Sequence, residues 1–223
     1  MNRNETINIL PSQTSEVEVK TEQKKGATIY TVSYKEGQLF DRTNYPNTVL
    51  FHREIKNGET KEVWIELPVL NEQLNFKYTD NEFTAIAEGK MEFVKDAYMP
   101  NYSILEKNGE IISESYNGAL LHQQNINKGL YVDFQGCLRK MSNSETGKQY
   151  DLCAACDPAN HGEISAVKKA LQEGKAELLV GSTEYMFGHW WCCEGCQKAM
   201  ADAGVTHVVI SKKWTQQFLD ISI

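Results

Sequence analysis

His161 and Glu163 stand one residue apart, and Cys193 and Cys196 follow downstream in Cys-x-x-Cys spacing. An imidazole and two thiolates can grip a zinc ion and leave its fourth position open to water, while a carboxylate that is not a ligand can carry protons for that water. A closed structural zinc site takes four protein ligands and has no use for a spare acid, and a thiol-redox pair needs no partner histidine. These residue types therefore favour a hydrolytic metal centre. Cys192 precedes Cys193, so the pair could also be Cys192 with Cys196. Cys193 is preferred because Cys-x-x-Cys at a helix start lets both sulfurs reach one ion.

The surrounding pattern says what must hold these groups. Ile164, Val167, Ala170 and Leu171 recur at helical spacing before Gly174, and Cys196, Ala199, Met200 and Ala203 do so before Gly204. Both sets of ligands then lie at helix N-termini, where free backbone N–H groups and the helix dipole favour thiolate over thiol. Ala176–Val180 and Thr206–Ser211 are short apolar runs and read as buried strands. Helix, strand, helix, strand predicts an α/β domain with right-handed crossovers that brings the two helix starts together at one edge of the sheet.

A His-x-Glu followed by Cys-x-x-Cys is the zinc-deaminase signature, and over roughly residues 82–223 the chain resembles the cytidine and deoxycytidylate deaminase superfamily. Ser103–Glu106, the Asn108-Gly109 turn and Glu110–Tyr116 look like the family's first hairpin. Tyr116-Asn117-Gly118 is similar to a motif of deoxycytidylate deaminases, which implies that Asn117 binds the substrate's sugar or base. Asp157-Pro158 before His161, with Ile164 and Ala166 after it, looks more like the guanine and tRNA-adenosine branches. Two positions depart from the family pattern: Cys192 replaces the proline before the first cysteine ligand, and Gly162 replaces an alanine.

The resemblance implies a three-layer α/β/α fold with a mixed sheet, one catalytic zinc on His161, Cys193 and Cys196, and Glu163 as proton carrier. The implied reaction is hydrolytic deamination of a small cytosine nucleoside or nucleotide, deoxycytidylate first, by a homo-oligomer. Two other readings stay open. One keeps the chemistry and changes the substrate to guanine or to a base in RNA or DNA. The other is a non-catalytic, zinc-stabilised binding module, which would have no need of Glu163.

Tyr185, Phe187, His189, Trp190 and Trp191 gather before the cysteines. A flat base needs a face to stack on, so this cluster, Trp190 and Trp191 above all, is a candidate wall. His122, Cys137, Cys153 and Cys156 could close a second, structural zinc site. Equally, Cys153 and Cys156 read as buried thiols and Cys137 as incidental.

With 41% hydrophobic and 24% charged residues among 223, the chain can build one good core plus an appendage. No apolar run approaches a membrane span and the first residues lack the apolar centre of a secretory signal, so a cytoplasmic protein with no membrane partner is expected. Four of the six cysteines stand in Cys-x-x-Cys pairs, which in a reducing compartment points to metal. A net charge of −7 without a basic stripe lowers the odds of a polynucleotide substrate.

Residues 1–27, polar and aperiodic, are expected to be a mobile leader. From Thr28 to about residue 78, alternating stretches and Lys56-Asn57-Gly58-Glu59 predict a small β-rich unit of unassigned role. Residues 79–223 form the expected deaminase domain. It starts with a helix whose capping box is Thr79-Asp80-Asn81-Glu82 and whose buried face is Phe83, Ile86, Ala87, Val94 and Ala97.

Overall fold

A computed structural model describes residues 17–90, 101–118, 138–145 and 148–223. Its first sheet is antiparallel, in the order β1 (Glu18–Lys24), β2 (Ala27–Lys35), β4 (Glu59–Glu66), β3 (Thr48–Lys56). The turns Lys25-Gly26 and Asn57-Gly58 join these strands with φ of 47° and 84°, and 53° and 75°. Two successive positive φ values mark a type I′ turn, whose twist matches paired strands. Part of the expected leader is thus a strand. Its sequence holds a single apolar residue, Val19, so hydrophobic periodicity is silent there, and β1 is held by backbone pairing to β2 from Glu18↔Ser33 to Lys24↔Ala27.

The second sheet runs β5 (Asn75–Tyr78), β9 (His207–Ile210), β8 (Thr183–Phe187), β6 (Tyr102–Lys107), β7 (Glu110–Tyr116). β5, β9 and β8 are parallel, while β6 is antiparallel to β8 and β7, which makes the sheet mixed. β5 falls within the stretch expected to belong to the β-rich unit, yet it pairs with β9. Alternation along β8 sorts the layers. Tyr185 and Phe187 pack with Phe83 and Ala87 of α1 (Glu82–Lys90) on one face. Met186 faces the other way, into the core with Ala166, Val167 and Ala170 of α3 (Gly162–Gln172) and Met200 of α5 (Glu194–Asp202). The outcome is the expected α/β/α arrangement.

Three local expectations change. Ala176–Leu179 is a one-turn helix, α4, and not a strand, with Leu178 and Val180 exposed and only Leu179 fully buried. The strand follows at Thr183–Phe187, so Tyr185 and Phe187 belong to the sheet and not to a base-stacking wall. At α1, the cap is Asn81, whose side-chain oxygen accepts from the N–H groups of Phe83 and Thr84 at 3.0 and 3.1 Å. Phe83 and Ala87 are buried as expected, but Ile86 is 39% exposed. Val94 and Ala97 lie outside the described residues.

Among the described residues, the remaining α-helices are α2 (Leu138–Met141) and α6 (Lys212–Leu219). Among the described residues, no helix is long and apolar enough to cross a membrane.

Candidate metal centre

Two helix starts converge. His161 is the N-cap residue of α3, with φ −60° and ψ 154°, and Cys193 that of α5, with φ −67° and ψ 156°. Each backbone carbonyl accepts the first intrahelical bond, from Ser165 and Gln197, both at 2.9 Å. The segment before α3 explains the Asp-Pro pair: Asp157 caps a short 3₁₀ turn, Pro158–Asn160, through a 2.9 Å bond from the Ala159 N–H, and His161 follows directly. Proline suits the first turn because it has no N–H to leave unsatisfied.

His161 Nδ1 lies 3.6 Å from Cys193 Sγ and 3.5 Å from Cys196 Sγ, and the two sulfurs are 3.3 Å apart. Zinc bonds of about 2.3 Å to sulfur and about 2.1 Å to nitrogen place tetrahedral ligand atoms about 3.6–3.8 Å apart. These three side chains therefore fit zinc with little adjustment, and two of them, His161 and Cys193, line a cavity. The imidazole also hydrogen-bonds the backbone of Cys156, the kind of outer contact that fixes a ligating ring's orientation. His161 has a raised pKa: burial pulls it down, but the Cys193 thiolate and Glu163 outweigh that. The Cys193 thiol is depressed to about 4, first by the Cys196 hydrogen bond and then by His161. Cys196 is pushed well up by its bonds to Cys192 and Cys193 and by burial. The Cys193 thiolate is already in its metal-binding form, whereas His161 ligates only as the neutral imidazole.

Cys192 takes a different part. Its buried thiol donates to Glu163 Oε1 at 3.4 Å, and burial pushes its pKa above the thiol range. Among the described residues, the ligand group that includes His161 is completed by Cys193 and Cys196, while Cys192 clusters with Glu163 and Cys196. Glu163 is buried, its pKa is raised chiefly by that burial, and its Oε2 has no hydrogen-bond partner. A buried carboxylate oxygen left unsatisfied is costly unless something arrives to use it.

The group opens onto a cavity of about 530 Å³ lined by His161, Glu163, Cys193, Asn117, Trp190 and Trp191. Asn117 is set by the end of β7: its N–H donates to Asn101 O at 3.3 Å, and the Gly118 N–H donates to Asn160 O at 2.7 Å. Gly118 has φ +77°, and a Cβ there would meet Ala155 at 3.1 Å. Gly162 is equally constrained, since a Cβ would lie 2.4 Å from Asn101 Oδ1, so the departure from alanine is tied to Asn101.

Cys153 and Cys156 are buried thiols beside Ala155, and Cys156 lines the cavity. They enter no candidate ligand group among the described residues; His122 and Cys137 lie outside those residues. Sequence reasoning missed Lys25, Pro68, Asn101, Arg139 and Tyr150 on the cavity wall. None carries a local signal, because long-range packing alone brings them there.

The cytidine and deoxycytidylate deaminase zinc-binding region matches residues 80–212, more than half of the chain and inclusive of every ligand above. No curated protein matches the chain. On that match, and with the His161, Cys193 and Cys196 geometry beside it, the chain belongs to the cytidine and deoxycytidylate deaminase zinc-binding family.

Proposed function

We propose that the chain hydrolytically deaminates a cytosine nucleoside or nucleotide, deoxycytidylate first, to the uracil product and ammonia. The observation that carries this reading is the unsatisfied Glu163 Oε2, buried beside a zinc-compatible His161, Cys193 and Cys196 on one cavity wall. Zinc held by those three residues would supply the Lewis acidity that lets water lose a proton near neutral pH. Glu163 accepts that proton and passes it to the ring nitrogen, which makes the carbon bearing the amino group electrophilic. The oxygen of that water bonds to this carbon, and Glu163 then takes the proton left on the oxygen and delivers it to the amino group, so that the C–N bond breaks, the carbonyl forms and ammonia leaves. Burial, by raising the Glu163 pKa, brings acid and base forms closer in energy, as a residue that both takes and gives a proton requires. Trp190 and Trp191 offer faces for the ring and Asn117 a polar contact for base or sugar. The tyrosine-asparagine-glycine sequence at 116–118 supports deoxycytidylate within the cytosine class.

Ammonia release measured over a panel of bases, nucleosides and nucleotides tests this. Cytosine compounds should be turned over, and Glu163→Gln should keep its zinc while losing about 10²–10⁴-fold in kcat. Release from guanine or adenine compounds alone, or near-normal turnover by the variant, would overturn it.

A further inference from the structure

We infer that Lys25, at the tip of the β1–β2 turn, recognises the phosphate of a mononucleotide substrate, so that the N-terminal sheet forms part of the active site. This rests on the deaminase reading and narrows its substrate from nucleoside or nucleotide to nucleotide. Lys25 and Gly26 line the same cavity as His161, Glu163 and Cys193. Arg139 is also on that wall, but its guanidinium is committed to structure: Nε donates to Lys148 O at 2.9 Å, Nη2 donates to Glu145 O at 3.2 Å, and the group lies 4.3 Å from the Tyr150 ring centre.

The backbone at Lys25 gives an independent reason. Among the described residues, three turns pair a positive-φ residue with a positive-φ glycine, and the other two place asparagine first, Asn57 at 53° and Asn108 at 56°. Asparagine tolerates the left-handed region well, whereas lysine has no local hydrogen bond to offset the strain. The turn facing the cavity alone carries lysine, at φ 47°. A strained position kept at a cavity rim points to use of its side chain.

The ammonium is held where such use is possible. Lys25 Nζ donates to Phe218 O at 2.5 Å, near the C-terminal end of α6, and lies 5.1 Å from the Phe218 ring centre. An ammonium has three donors, so this anchor leaves two for a ligand. A nucleoside monophosphate brings a charge of about −1.5 to −2 to a chain of net charge −7, and a fixed cation at the rim offsets that repulsion locally. One anchored ammonium, without a basic stripe, suits a single phosphate better than a polymer backbone.

Capping of α6 is the structural alternative, and the adjacent residue separates the two roles. Lys24 Nζ donates to Asp220 O at 2.7 Å on the same helix end, yet Lys24 does not line the cavity. The test is calorimetric binding of the four common deoxynucleoside 5′-monophosphates and their nucleosides to the wild-type chain, Lys25→Asn, Lys25→Arg and Lys24→Ala, alongside ammonia release. For at least one base, the monophosphate should bind about tenfold to hundredfold more tightly than its nucleoside. Lys25→Asn, which relaxes the turn, should abolish that ratio without weakening the nucleoside, while Lys25→Arg and Lys24→Ala keep it. The inference is overturned if no monophosphate is preferred over its nucleoside, or if Lys25→Asn weakens both members of a pair equally. A Lys25-dependent preference confined to purine compounds would sustain the inference and sink the cytosine reading instead.

Discussion

Glu184, on β8, is entirely buried beneath the site, and neither of its carboxylate oxygens has a hydrogen-bond partner. Burial raises its pKa well above the usual carboxylate range and the charge of Glu163 adds to this, while the Ser103 hydroxyl donates to Asn101 instead. The sign of its effect on stability follows from proton counting. Above about pH 4.3 the unfolded carboxyl ionises, whereas the folded one keeps its proton until its own higher pKa. The folded state binds the extra proton, so stability falls as pH rises through that window, by up to about 1.4 kcal/mol per pH unit. Glutamine keeps the shape and removes the titration. Glu184→Gln should therefore gain melting temperature relative to the wild type as pH is raised from 4 to 8, at about 2–4 °C per kcal/mol for a chain of this size. Thermal melts of both proteins across that range check it; a difference independent of pH would show that Glu184 is ionised in the fold. The site's main residues were legible in sequence because their spacing is itself the chemistry, as with His161 and Glu163. Glu184 was not, since a lone glutamate after Gly181-Ser182-Thr183 gives no sign that both neighbouring strands will bury it.

Elements were legible where local signals agreed. The hairpin turns Asn57-Gly58 and Asn108-Gly109 combine the two residue types that best tolerate positive φ, and the apolar spacing that marked the two site helices falls inside them, Ile164, Val167, Ala170 and Leu171 in α3 and Cys196, Ala199 and Met200 in α5. Reading failed where a signal was short or absent. The apolar run at 176–180 suits a strand by composition, but it follows Gly174, at φ +73°, too closely to cross back to the sheet, so the chain makes a helical turn first. β1 has almost no apolar residue to betray it. The cap of α6 shows how elements are tied together. Ser211 Oγ accepts from the Trp214 N–H at 3.2 Å and donates to Asp80 Oδ1 at 2.8 Å, while Asp80 Oδ2 accepts from the Lys213 N–H at 2.9 Å. One buried hydroxyl thus caps α6 and fastens the segment leading into α1. Ser211→Ala should cost about 0.5–2 kcal/mol, near the upper end because Asp80 also loses a donor. A urea midpoint shifted with unchanged slope is the expected result, and no shift would mean that water replaces the hydroxyl fully.

At the scale of the molecule, the two sheets share one core. Ile29, Phe51, Ile65 and Leu67 of the first sheet and its exit belong to the same buried cluster as Trp190, Cys192, Cys196 and Met200 around the site. The buried amide of Gln197 joins them by hydrogen bonds as well: its Oε1 accepts from the Asn71 N–H at 2.8 Å, and its Nε2 donates to Val69 O at 2.9 Å and Cys192 O at 2.7 Å. The helix carrying Cys193 and Cys196 is thereby fixed to the link between the sheets. Units joined through an apolar interface of this kind unfold together, whereas separable domains meet through small polar ones. A ligand that binds only the folded state stabilises it by about 2.7 kcal/mol at a concentration of 100 Kd, which at 2–4 °C per kcal/mol is about 5–10 °C. Removing zinc with a chelator should therefore lower one melting transition by that amount without splitting it. Hydrogen exchange should show amides of β2 and β4 losing protection together with those of β8 and β9. If the first sheet instead kept its protection while the second lost it, the metal would stabilise only the half of the molecule that carries its ligands. The cavity wall built from Lys25 and Pro68 would then persist when the site behind it had melted.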